Sequence, residues 1–145
     1  MITVAASVGA SADASKTEPV AKGTAVKVTK QAEKFQLIHV ADLAPIVKEA
    51  SKTVFIFDAN NAETRQKNGV IPGAKLLASS SEYDVKTTLP ADKNAKLVFY
   101  CANEQCMASH GAAKRAADAG FKNVNVLADG IIGWVKAGQT VAKAN

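Results

Sequence analysis

The chain has 145 residues, 48% of them hydrophobic, which is enough for one packed domain and short for two. Its net charge is +5, yet only two of the 18 basic residues are arginines, Arg65 and Arg115, and the lysines are scattered. Nucleic-acid surfaces cluster Arg, often with exposed aromatics, so this charge reads as a solvated surface with no nucleic-acid partner. No run of about 18 apolar residues exists, which excludes a transmembrane helix, and two cysteines, Cys101 and Cys106, are too few and too local for a disulfide scaffold.

Met1 to Lys30 is rich in Ala, Ser, Thr, Val and Lys, has no aromatic residue and keeps no helical or strand period. Residues 1–32 therefore read as a flexible arm or linker before a domain over 33–145. Within the arm, Met1 to Ala14 looks like the end of an export signal, with an Ala-x-Ala pattern at Ala10 and Ala12 but no positive segment before it. The expectation is a periplasmic or otherwise exported protein; the alternative is a plain tether on a cytoplasmic one.

From Phe35 the chain alternates strands and helices. Phe35 to Val40 is a short strand containing His39. Ala41 to Ala50 has Asp42 near a helix start and helical spacing at Leu43, Ile46 and Val47. Thr53 to Phe57 is a continuous apolar run, as in a strand buried on both faces, ending at Asp58. Asn61 to Lys67 is a short polar helix, Ile71-Pro-Gly73 a turn, Ala74 to Ala78 a short strand, and Val85 to Leu89 a helical turn. Ala95 to Tyr100 is the strongest central strand. Ser109 to Ala119 is an Ala-rich helix stopped by Gly120, Asn123 to Leu127 a buried strand, and Gly130 to Ala137 a last helix carrying Trp134. Strands separated by helices imply parallel pairing through right-handed crossovers, with helices on both faces.

Chemistry concentrates where the central strand ends. Cys101 follows it directly, a polar loop comes next, and a helix starts near Ser109, a plausible N-cap. Ligands of open parallel sheets bind beyond the carboxyl ends of strands. A helix N-terminus presents unpaired N–H groups that stabilise a thiolate, a persulfide anion or a bound oxyanion. The alternative is an inert cysteine buried at a strand end.

These stretches resemble the rhodanese family, from about Phe35 to Gly138. Phe55-Ile-Phe-Asp58 with Gly69-Val-Ile-Pro-Gly-Ala74 looks like the family's strand-Asp and Gly-His-Ile-Pro-Gly-Ala elements. Leu97 to Cys101, with Ala112, Ala113 and Gly120-Phe121, looks like its catalytic strand, loop and helix. Asn123 to Leu127, with Gly130-Ile131 and Trp134, looks like its closing strand and Gly-Gly-x-x-x-Trp element. The resemblance implies an α/β three-layer sandwich around a five-stranded parallel sheet. It implies a sulfurtransferase whose cysteine, here Cys101, takes sulfane sulfur from thiosulfate or a similar small anion. The persulfide then passes to a thiol or cyanide acceptor. The cradle for the anion would be the loop Ala102, Asn103, Glu104, Gln105, Cys106, Met107, Ala108 and Ser109. No cofactor and no metal are implied, and a monomer is expected.

The chain departs from that pattern in several places. The family's common loop carries an Arg-Ser pair nearer its cysteine; here Ser109 lies eight residues after Cys101 and no Arg or Lys stands between them. The pocket should be wider, and a dianion would rest on backbone amides alone, with Glu104 repelling it. Related dual-specificity phosphatases end a longer loop in an Arg, so its absence argues against phosphatase chemistry. Asn60 stands for a family Arg and Val70 for a family His; both are expected to be scaffold positions. Some rhodanese-like proteins share the Cys-x4-Cys-x2-Ser loop. Cys106 is then a candidate resolving thiol, a soft-metal clamp with Cys101, or a small packing residue. His110 is expected to be an exposed helix residue and Trp134 a core residue. The residues support three readings: a sulfurtransferase on Cys101, a dithiol redox or metal module on both cysteines, and a catalytically silent binding domain. Replacing either cysteine is expected to spare the fold, since a loop cysteine contributes little core area.

Overall fold

The computed structural model describes residues 34–144; the arm over 1–32 and its export pattern lie outside them. The order of elements is β1 Gln36–Ile38, α1 Val40–Lys48, β2 Val54–Asp58, α2 Ala62–Asn68, β3 Lys75–Leu76, α3 Val85–Thr88, β4 Lys96–Tyr100, α4 Ala108–Asp118, β5 Asn123–Leu127 and α5 Gly130–Lys136. The five strands form one sheet in the order β1-β5-β4-β2-β3, and every pairing is parallel. Central β4 pairs β2 from Lys96 to Tyr100 and β5 from Lys96 to Phe99.

Side chains alternate across a strand, so β4 feeds two cores. Leu97 and Phe99 join Phe57, Val126 and the α4 residues Ala112, Ala113 and Ala116 on one face. Val98 and Tyr100 join Leu43 of α1, Leu127, and Ile131 and Trp134 of α5 on the other. The result is the α/β three-layer sandwich that strand-helix alternation implies, with a five-stranded parallel sheet between helical layers. The Phe57 and Phe99 rings stack at 5.0 Å beneath α4, and burying such a side chain contributes about 1.5–3 kcal/mol. The small α4 residues let that helix lie close on the sheet. Trp134 is core as expected, and its indole N–H donates to the Thr140 carbonyl at 2.8 Å. Among the described residues, no helix is long and apolar enough to cross a membrane.

Two expected boundaries shift for local reasons. β1 stops at Ile38 because His39 turns outward to cap α1, and its backbone N–H donates to the Asp42 carboxylate at 2.9 Å. β3 keeps only Lys75 and Leu76: the Ala74 N–H closes the preceding turn on the Ile71 carbonyl at 3.0 Å, and the Leu77 carbonyl accepts from Arg65 at 2.9 Å.

Candidate active site

The period-two alternation that puts Leu97 and Phe99 under α4 puts Cys101 there too. Its side chain is 1% exposed and belongs to the same apolar cluster as Phe99 and Ala112. The expectation that this cysteine contributes little to the core is corrected by its position: it is the last inward side chain of the central strand's α4-facing row.

Ser109 is not the N-cap. Met107 holds that position, without a side-chain cap, and Ser109 is buried in the first turn of α4 with its hydroxyl 3.4 Å from Cys101 Sγ. The N-cap thus lies two residues before the expected Ser109, and the helix begins at Ala108 without a side-chain cap. The first helical bond runs from the Gly111 N–H to the Met107 carbonyl at 3.0 Å. The amides of Ala108, Ser109 and His110 therefore have no helical acceptor. They are the positive end of α4, and the polar atoms in contact with Cys101 Sγ are the Ser109 hydroxyl and the Cys106 carbonyl oxygen.

The loop narrows the expected anion cradle. Asn103 folds it inward: its side-chain oxygen accepts from the Gln105 N–H at 3.1 Å and its carbonyl from the Cys106 N–H at 3.2 Å. Those two amides are occupied. Glu104, Gln105 and Met107 are exposed, and Ala102, Asn103, Cys106 and Ala108 half-buried. Glu104 thus lies at the solvent side of the loop.

Cys101 and Cys106 are joined in a disulfide, with their Cα atoms 6.2 Å apart. Neither is a free thiol, and the described loop is the closed, oxidised form. The Cys106 carbonyl oxygen also lies 3.3 Å from Cys101 Sγ. A cross-link over a sequence separation of 5 restrains the unfolded chain by about 2 kcal/mol in the loop-entropy model, near the low end for disulfides. That is too little to be the main reason for bringing two cysteines together at a strand end.

Two further structures hold the strand end in place. Asp58, fully buried at the end of β2, accepts from the Tyr100 hydroxyl at 2.6 Å, from the Asn60 N–H at 2.7 Å and from Arg65 Nε at 3.1 Å. The Tyr100 hydroxyl in turn accepts from the Ile71 N–H at 3.0 Å. Burial, and then the adjacent carboxylate, push the Tyr100 phenol far above its ordinary value. The second structure is the start of α5: the N–H groups of Ile131 and Ile132 donate to the carbonyls of Cys101 at 2.8 Å and Ala102 at 2.9 Å. Gly130, at φ +67°, allows this approach. A Cβ there would run into the Ala102 carbonyl and come within 2.7 Å of the Asn103 nitrogen.

His39, expected inside β1 as a structural residue, is instead the exposed N-cap of α1, and its ring meets the Asp129 carboxylate at 3.2 Å. Asp129 also accepts from the Val40 N–H at 2.9 Å, tying the starts of α1 and α5 together. His110 is not simply exposed: its ring packs on Phe35 at 5.3 Å and its Nδ1 is buried without a partner among the described residues. Asn60 and Val70 are buried scaffold positions, as expected. Sequence reasoning missed the Tyr100 hydroxyl and the role of Arg65. The signal for the latter was a cation seven residues after a strand-end Asp, on the polar helix that follows the strand. Both arginines are committed: Arg115 Nε donates to the Tyr83 carbonyl at 2.9 Å.

Comparison with known proteins gives one family match: the model for the Rhodanese-like domain covers residues 42–137. No curated protein matches the chain. Among solved structures, the BH2092 protein of Bacillus halodurans is 22% identical, with a TM-score of 0.63 over 80% of this chain and 82% of its own. A Rhodopseudomonas palustris protein, described as of unknown function and a "possible tyrosine phosphatase", is 23% identical, with a TM-score of 0.63 over 88% of this chain and 99% of its own. A thiosulfate sulfurtransferase of Pseudomonas aeruginosa is 21% identical, with a TM-score of 0.64 over 85% of this chain and 22% of its own. At these identities the structural likenesses establish the fold.

Proposed function

Because the chain belongs to the rhodanese-like domain family, we propose that it is a sulfurtransferase working through Cys101. The observation that carries this reading is the setting of that sulfur: end of the central strand, Ser109 hydroxyl at 3.4 Å, and the unpaired amides of Ala108 to His110 at the start of α4. Once the disulfide is reduced, that setting favours a thiolate. The Cys101 thiolate attacks the outer sulfur of thiosulfate, the S–S bond of the donor breaks, and sulfite leaves with the bonding pair. The new persulfide carries one negative charge, for which the α4 amides have no other acceptor, while Ser109 donates to Cys101 Sγ. A thiol or cyanide then takes the outer sulfur and returns the thiolate.

Donor recognition rests on backbone amides, because no Arg or Lys lies between Cys101 and Ser109. The same lack speaks against phosphoryl transfer, whose dianion is ordinarily held bidentately by Arg. Arg65 and Arg115 cannot substitute, since Asp58 and Tyr83 hold them. A dithiol redox module is the second reading, and the Cys101–Cys106 bond favours it. The test is sulfite release. Pre-reduced protein freed of reductant is mixed with thiosulfate and sulfite is counted per chain. One equivalent from the wild type and none from Cys101→Ser is the expected result. No sulfite from either refutes the sulfurtransferase and leaves the dithiol module.

A further inference from the structure

Cys106 has no part in the transfer just described, yet the fold bonds it directly to Cys101 Sγ. We infer that Cys106 is a resolving thiol in cis: it displaces the outer sulfur of the Cys101 persulfide as hydrosulfide and closes the observed disulfide. The chain then converts thiosulfate to sulfite and sulfide at the expense of an external dithiol. The inference rests on the sulfurtransferase reading and assigns the fate of the persulfide.

Three observations carry it. First, the bond joins Cys106 to the inner sulfur. A thiol held to reach Cys101 Sγ attacks that atom and expels the outer sulfur, instead of receiving it. Second, the closed loop is held by its own backbone. The turn at Asn103, through the Gln105 and Cys106 amides, holds Cys106 back over the strand end, while the Ile131 and Ile132 amides fix Cys101 and Ala102. A resolving thiol built into the loop outcompetes dilute thiols by its effective concentration. Third, the two sulfurs are unequally placed. Cys101 is 1% exposed, whereas Cys106 is half-buried. An incoming reductant meets Cys106 first, so Cys101 is the sulfur that leaves as thiolate, beside the Ser109 hydroxyl in the first turn of α4. Reduction thus returns the nucleophile in its reactive form, and the closed disulfide shields it from the donor until then.

The steps balance. Thiosulfate and the Cys101 thiolate give the persulfide anion and sulfite. The Cys106 sulfur then bonds to Cys101 Sγ as the persulfide S–S bond breaks, and the Cys106 proton moves to the departing sulfur, giving hydrosulfide. The outer sulfur gains two electrons and the cysteine pair loses two. A dithiol of the protein-reductant class supplies two electrons and two protons to reopen the disulfide, ending as its own disulfide.

A single turnover tests this. The full chain is reduced, freed of reductant and mixed with thiosulfate; sulfite, sulfide and intact mass are then followed. The wild type is expected to release one sulfide for each sulfite and to finish about 2 Da lighter than the reduced chain. Cys106→Ala and Cys106→Ser are expected to release sulfite, no sulfide, and to finish about 32 Da heavier, carrying the persulfide. A wild type that keeps the added sulfur as long as Cys106→Ala overturns the inference and leaves the sulfurtransferase standing. A wild type that releases no sulfite refutes both.

Discussion

Tyr100→Phe removes one oxygen atom from the centre of the molecule and isolates the strand-end network beneath Cys101. The hydroxyl donates to Asp58 Oδ2 at 2.6 Å and accepts from the Ile71 N–H at 3.0 Å. Tyr100, Asp58 and Ile71 are all 0% exposed, so water cannot replace it without opening the core. A hydrogen bond to a charged group contributes about 1.5–3 kcal/mol, and an orphaned buried N–H costs about 1–3 kcal/mol. The expected loss is therefore about 3–5 kcal/mol, a large share of a typical stability of about 5–15 kcal/mol. In a domain of this size that corresponds to a fall in Tm of roughly 10–20 °C. The assay is urea unfolding of wild type, Tyr100→Phe and Tyr83→Phe at equal m-value. Tyr83 is the control, because its hydroxyl donates only to the Ala112 carbonyl, at 2.8 Å, and its loss should cost about 1 kcal/mol. A Tyr100→Phe loss below about 1 kcal/mol, or equal to that of Tyr83→Phe, would refute the argument that Asp58 depends on this hydroxyl.

Gly130→Ala combines a positive φ with a collision against the Ala102 carbonyl; a destabilisation of about 2–5 kcal/mol is expected, with sulfite release falling alongside it, and unchanged thermal unfolding would remove Gly130 from the site's support. Alkaline pH should destabilise the fold. Burial pushes the Tyr83 phenol up to about 12, Arg115 opposing it, so between about 10 and 12 the folded state holds a proton that the unfolded state has lost. That contribution is complete below about pH 10 and is lost as pH rises through about 12, by about 1–3 kcal/mol. Comparing Tyr83→Phe with wild type across that window should show a shallower decline in the variant, and parallel curves would contradict it. Cys106→Ala should lower stability by about 2 kcal/mol relative to oxidised wild type and match wild type under reductant; a deficit that persists under reductant would mean that Cys106 supports the loop by packing.

Much of the fold was legible because its signals are local. The run Leu97–Tyr100 is apolar and buried at every position, whereas the run Val54–Phe57, expected to be buried on both faces, leaves Phe55 37% exposed; the helices between the strands imply parallel crossovers. Cys101 was legible for the same reason: it follows the strongest strand and precedes a helix. The sequence by itself determined the layers, the parallel sheet and the position of Cys101 between the central strand and α4. Only the tertiary structure decided what each polar group near that place does. Arg65 could have faced solvent, and its binding to Asp58 and Leu77 requires α2 to fold back on two strands. His39 left β1 because Asp42 and Asp129 offered it a cap and a partner. Which amides remain free for an anion depended on the turn of Asn103, and the pairing of Cys101 with Cys106 on the path the loop takes between β4 and α4. These outcomes depend on distances between groups far apart in the chain, or on the competition of several donors for one acceptor. Residue type and spacing name the competitors, and packing chooses among them.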